Sequence, residues 1–336
     1  MKLTAFSKIL LTLIFLVLLY FLYLKISPSL GIETEHAATN TEVASDNGAT
    51  KAAPTSKSNP STQKTTTTRP FNYVAPKPVN GKLRGVVELG ASGFNSFIVN
   101  MDPNNRWELK KAEWGNSLVY DNMASSQDIR SGLKKYITNI LDYGVDGRDI
   151  HFVVSSGAQK VPNTLKIIKE LKNMGYVVNT VSPEQEAKYA LKAALPPAYK
   201  SKAFVVDIGS GNTKISWVDR TGTTEGLETY GAKYYKNNVD DKTVYQDVFT
   251  KAKSIPKDKR NACFIIGGVP YKLAKEVRKG KERYTVLKSP EAYNPEGAKM
   301  KSGLNIYRAI KDATHCDQYI FDWDANFTIG FLLGLK

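Results

Sequence analysis

Apolar and polar positions are distributed so unevenly along the 336 residues that their pattern alone divides the chain into three. The run ILLTLIFLVLLYFLYL at 9–24 holds no charge, and with Ala5, Phe6 and Ile26 around it approaches the ~20 residues that a bilayer-spanning helix needs. It is long for the apolar core of a cleaved signal peptide, and no small-x-small cleavage site follows it. A membrane helix over 9–26, behind a short basic N-terminus at 1–8, is therefore expected. Lys2 and Lys8 precede the run, whereas Lys25 is followed by Glu33, Glu35, Glu42 and Asp46, a bias that places the N-terminus in the cytoplasm and the body outside. Residues 27–80 are Thr, Ser, Ala, Pro and Lys with almost no large apolar side chains. Such a composition cannot bury enough surface to offset the entropy of ordering, and a flexible tether is expected there.

From 81 onward short apolar runs with a two-residue period alternate with helical spacing. Strands are expected at 149–155 (DIHFVVS) and 176–181, and helices at 125–141, 163–174 and 184–194. Strands alternating with helices indicate layered sheets covered by helices on both faces. Three strands run into glycines. LRGVVELGASGFNSFIVN at 83–100 is a strand, an acid (Glu88), a turn at Gly90, Ala91 and Ser92, and a second strand. FVVDIGSGNTKISWVD at 204–219 repeats that order with Asp207, then Gly209, Ser210, Gly211, Asn212, Thr213 and Lys214. CFIIGGVPYKLAKEV at 263–277 runs through Gly267 and Gly268 into a helix, an arrangement that lets backbone approach a ligand at a helix N-terminus. One such turn merely closes a hairpin. Two facing turns can grip a polyphosphate from both sides, their N–H groups toward phosphate and their acids toward a cation.

Charge and cysteine content narrow the picture further. The chain has 47 Lys plus Arg against 32 Asp plus Glu; 8 and 4 of these precede position 81, leaving 39 and 28 and a formal charge of +11 on the body. This favours polyanionic partners. Basic runs such as that from Lys272 to Arg283 are ordinarily solvated helix faces, and no sequence-reading nucleic-acid motif is present. Cys263 and Cys316 are too few for a disulfide framework, though one bridge between them is open at this point. His36, His151 and His315 form no nucleophilic constellation with Ser or Cys.

Taken together, these motifs resemble the exopolyphosphatase and guanosine pentaphosphate phosphatase family, a branch of the actin, sugar kinase and Hsp70-like ATPase superfamily. The likeness covers roughly 83–335. ELGASGF is similar to the family's first phosphate loop, VDIGSGNT to its second, VVSSGAQKVPN and VSPEQEAKYAL to the two segments between them, and KSGLNIYRAIKDA with IFDWDANFTIGFLLGL to its closing elements. The resemblance implies an α/β, two-lobed actin-like (ribonuclease H-like) fold, with lobes at about 81–200 and 201–320 and a C-terminal helix returning to the first. It also implies phosphoanhydride hydrolysis, with Glu186 as general base, Asp207 and Glu88 holding Mg²⁺, and the glycine loops binding phosphate. Expected partners are a polyphosphate or nucleotide-like polyanion, the membrane through the N-terminal helix, and a second copy of the chain in a homodimer. The departures are as informative. A metal-holding glutamate of the family is Lys214 here, the first-loop aspartate is Glu88, an arginine is Gln159 and a threonine is Val269. Lys214 would oppose a divalent cation, or bind phosphate itself. Two functions are thus expected: a membrane-tethered phosphohydrolase of exopolyphosphatase type, or a catalytically degenerate scaffold that binds a nucleotide, a polyanion or a protein.

Overall fold

A computed structural model describes residues 70–90, 93–114 and 125–335. The segment expected to span a membrane, 9–26, lies outside them, as do Ala91 and Ser92 of the first glycine turn. Among the described residues no helix is long and apolar enough to cross a bilayer. The packed region starts before the expected boundary at 81. The ring of Phe71 lies 5.3 Å from that of Tyr199, 5.6 Å from Phe264 and 5.2 Å from Tyr284, apolar contact that offsets the ordering of this part of the expected tether.

The elements are β1 (Lys82–Gly90), β2 (Gly93–Met101), β3 (Trp107–Trp114), α1 (Ser126–Leu141), β4 (Ile150–Val154), α2 (Pro162–Asn173), β5 (Val178–Thr180), α3 (Pro183–Ala194), β6 (Ala203–Ile208), β7 (Asn212–Val218), β8 (Thr224–Tyr230), α4 (Asp241–Lys253), β9 (Ala262–Ile266), α5 (Gly268–Lys275), β10 (Tyr284–Val286), α6 (Gly297–Thr314), β11 (Tyr319–Asp322) and α7 (Phe327–Leu332). They form two sheets, ordered β3-β2-β1-β4-β5 and β10-β11-β9-β6-β7-β8. Each is built around the first strand of its half. β1 pairs antiparallel with β2 and parallel with β4, and β6 does the same with β7 and β9. The repeated order seen in the sequence at Glu88 and Asp207 is therefore a repeated topology.

Both central strands are buried on two faces, which is why they read as near-continuous apolar runs. Alternation sends Val87 and Leu89 of β1 to a core shared with α1 and α2, and Val86 to the opposite side. In β6, Phe204, Val206 and Ile208 meet α4, α5 and α6, while Ala203 and Val205 face the other way. The inward faces of the two sheets share one core with α3 and α7, including Ala190, Leu191, Ile329 and Leu332. α3 and α7 thus lie between the sheets, and the order of layers is helix, sheet, helix, sheet, helix. Ile129, Leu133, Ile137 and Ile140 form the buried stripe of α1, whose start is fixed by Ser125 and Asp128 in a reciprocal capping box. Cys263 and Cys316 are both free and buried, so no bridge joins them.

Candidate active site

The ends of β1 and β6 open into a cleft of about 390 Å³ between the sheets. Glu88 and Asp207 are on the inward faces of their strands, in register with Val86 and Val205 respectively. Each has a cross-strand partner in the neighbouring antiparallel strand: Asn95 for Glu88 and Lys214 for Asp207. The Asn95 amide donates to Glu88 Oε2 at 2.9 Å, and the Asn326 amide, at the start of α7, donates to the same oxygen at 3.1 Å.

The cleft floor is an ion pair. Lys214 Nζ lies 2.5 Å from Glu186 Oε1, and the two residues are each only 3% exposed. The other oxygen, Oε2, accepts from the Ser156 N–H at 2.9 Å and the Ser156 hydroxyl at 2.5 Å. Glu186 arrives there because α3 starts at the Ser182–Gln185 capping box with Pro183 in its first turn. That phase puts Glu186 on the buried stripe with Ala187 and Ala190 and leaves Glu184 and Lys188 exposed. The three residues look alike in sequence, and only the packing of α3 between the sheets separates them. Asn212 Nδ2 adds a 3.2 Å hydrogen bond to the Ser156 hydroxyl and joins the two lobes.

Glycine is required at two points of the wall. A Cβ on Gly267, whose φ is +109°, would stand 2.3 Å from the Ile208 carbonyl oxygen, and one on Gly209 would stand 2.6 Å from the Asn212 carbonyl oxygen. The third glycine turn is thereby laid against the second. Gly90, Gly209, Ser210, Gly211, Asn212, Gly267 and Gly268 all line the cleft. Thr213 does not: strand alternation turns it away from the Lys214 face, and it is fully buried. Gln159, in place of an arginine, is also not a cleft residue, and its amide donates to the Val181 carbonyl at 2.6 Å. Asn95, Asn326, Lys299 and the aromatic wall of Trp114, Tyr271 and Trp323 line the cleft, and Ser156 supports Glu186 from behind it, without having been singled out in the sequence. Asn326 lies in the segment WDANFT, whose resemblance to a closing element was its one sequence signal.

The donor set does not suit Mg²⁺. Among the described residues no group of three or more His, Cys, Asp or Glu side chains could hold a metal ion. Glu88 is oriented by two amides, and an ammonium stands beside Glu186 and across the strand from Asp207, where it would repel a divalent cation.

Desolvation raises the Glu88 carboxyl to about 7, against the lowering effect of Asn95, and raises Asp207 to about 6, against the lowering effect of Lys214. Both groups hold protons in the folded chain at pH values where the unfolded chain has lost them. Their contribution to stability is complete below the ordinary carboxylate range and is lost as pH rises through about 6 and 7. Denaturation midpoints of the purified chain should accordingly fall between about pH 4 and 7 and level off above that range. Glu88→Gln should flatten the upper part of this decline; an unchanged slope would contradict the assignment.

Comparison with solved structures identifies the architecture. A member of the Ppx/GppA family from Aquifex aeolicus superposes with a TM-score of 0.56 at 17% identity, over 75% of this chain and 97% of that one. The body has the Ppx/GppA fold. An exopolyphosphatase from Cytophaga hutchinsonii gives a TM-score of 0.56 at 14% identity, over 76% of this chain and 99% of that one. No protein-family model matches the sequence, and no curated protein matches it. The Ppx/GppA likeness is thus one of fold.

Proposed function

We propose that this chain uses an exopolyphosphatase-type cleft to bind the phosphate end of a polyphosphate or a related phosphoanhydride polyanion, and that it holds this ligand without rapid hydrolysis. The Lys214–Glu186 pair carries the reading. It supplies a fixed cation at the cleft floor, suited to a phosphate as a point charge. With Ser156 it also engages both oxygens of the Glu186 carboxylate, Lys214 on Oε1 and Ser156 on Oε2, so a water activated by Glu186 would have to displace one of these donors or share its oxygen. The apolar run at 9–24 supports a second element of the proposal, that the cleft is tethered to a membrane.

A second reading keeps the hydrolase. An arriving phosphate draws Lys214 away from Glu186, and water then attacks the terminal phosphorus. The bridging P–O bond breaks with its electron pair going to the shortened chain, and Glu186 takes the proton of the water. The burial of Glu186 at the cleft floor favours this reading.

Phosphate release from polyphosphate and ATP, with and without Mg²⁺, separates the two. Binding with negligible release by the wild type, and Mg²⁺-dependent release gained by Lys214→Glu, is the expected result. Release by the wild type that falls about 100-fold or more in Glu186→Gln would instead establish the hydrolase.

A further inference from the structure

Apart from the cleft, the described residues enclose a second cavity of about 330 Å³, a size at which small-molecule sites begin. It lies behind the Asp322–Arg283 pair: Asp322 lines the cleft, whereas Arg283 lines this cavity. Trp107 and Glu108 of β3 form one wall, Arg283, Tyr284 and Asp324 a second, and residues 71–77 the roof. The roof is fixed at both ends, by Phe71 against Phe264 and Tyr284 and by the Val79 N–H, which donates to Asp102 Oδ2 at 3.0 Å. The charges inside do not balance. Asp322 takes Arg283 in two hydrogen bonds, at 2.9 and 3.0 Å, and leaves Asp324 Oδ2 3.7 Å from Nε, beyond hydrogen-bond reach. Among the described residues no group donates to the Asp324 carboxylate, whose side chain stays 30% accessible. The other lining acids are engaged: Glu108 pairs with Lys110 at 2.6 Å, and Glu282 accepts from the Lys279 and Gly280 N–H groups at 3.1 and 2.9 Å. Lys77, exposed at the rim, makes no ion pair among the described residues. Burial and Asp322 raise the Asp324 carboxyl to about 6, against Arg283, as a missing counter-charge would. The surrounding rings suit a cation. The Arg283 guanidinium already lies 4.1 Å from the ring centre of Trp107 and 5.2 Å from that of Tyr284, and Tyr73 adds a third ring 5.8 Å from Tyr284.

We propose that this cavity binds a small organic cation by a primary alkylammonium group, which donates to Asp324 while its alkyl stem lies against Tyr73 and Trp107. A carboxylate that lacks a donor favours an ammonium with N–H groups over a quaternary head. Aromatic walls favour an alkyl stem over a bare metal ion, for which one unengaged carboxylate is too few ligands. An anion would meet the unpaired Asp324. This site is separate from the phosphate cleft, whose reading it neither needs nor extends.

Ligand-observed NMR titration of the full chain with n-butylammonium at about pH 8, where Asp324 is ionised, tests the site. n-Butanol serves as the uncharged match and tetramethylammonium as the cation without an N–H donor. Saturable binding of n-butylammonium, about 10-fold or more tighter than either, is expected, and Asp324→Asn should weaken it about 10-fold, the loss of a charge-assisted hydrogen bond. Tyr73→Leu, in a segment outside both sheets, should weaken it about threefold or more, and serves where Asp324→Asn does not fold. Lys77→Ala should stay within about twofold of the wild type. No saturable binding, equal binding of n-butanol or tetramethylammonium, or unchanged affinity in Asp324→Asn and Tyr73→Leu overturns the site. Tightening of about 10-fold or more in Lys77→Ala also overturns it, because Lys77 would then be the resident partner of Asp324.

Discussion

Lys214→Met should lower the stability of the folded body by about 3–5 kcal/mol, because it leaves the Glu186 carboxylate buried without its counter-ion. Ser156 alone continues to donate to Glu186, through its N–H and hydroxyl. The same substitution removes the cation that lowers Asp207, so its proton should be held to higher pH in the variant. Adding Glu186→Gln should recover most of the loss, since an uncharged amide needs no counter-ion. Denaturant unfolding of the wild type, both single variants and the double variant would measure this coupling. A single-variant cost below about 1 kcal/mol, or a double variant that costs the sum of the singles, would show that the pair is not a coupled unit. The outcome bears on function, because an ion pair that holds the fold together is less easily surrendered to a passing phosphate than a loosely held one.

Gly330→Ala should be at least as damaging, at about 3 kcal/mol or more. A Cβ at Gly330 would stand 1.8 Å from the Tyr189 carbonyl oxygen, so α7 crosses α3 with backbone against backbone, and neither side can yield as a flexible side chain would. Separating these helices would displace Glu186 on α3 and Asn326 at the start of α7 together, and so disturb the cleft from both sides. Thermal unfolding should show a large drop in the midpoint. Gly147→Ala serves as the control: its new Cβ would meet only Leu141 Cδ2 at 3.8 Å, and a change within about 0.5 kcal/mol is expected. A mild effect of Gly330→Ala would mean that the crossing is looser than its geometry indicates.

Much of the architecture follows from local pattern, because the signals are short-range. The capping residues Ser125 and Ser182 start helices within a residue of the boundaries their pattern indicates, since a cap acts on backbone only three positions away. Strands β4, β6 and β9 are apolar on both faces and contain no residue that would break them. The resemblance of five motifs in order extended this local grammar to a two-lobed fold. Phe71 and Tyr73 were less legible: two aromatics beside a polar stretch reveal nothing until the surface formed by Tyr199, Phe264 and Tyr284 exists for them to cover.

The sequence by itself determined the repeated strand, acid and glycine-turn units at Glu88 and Asp207, the place of Glu186 in the first turn of α3, and the presence of a lysine at 214. What Lys214 does was decided only by tertiary structure. A lysine two residues into β7 could face solvent, cross to Asp207 or reach another element, and the choice depends on α3 being wedged between two sheets that are distant in the chain. Strand alternation turned Thr213 away from the cleft, whereas the packing of α6 on α5, two elements separated in the chain, brought Lys299 to the cleft wall. Side-chain identity is local, whereas the partner of a charge, and therefore its chemistry, is set by which surfaces exclude water around it.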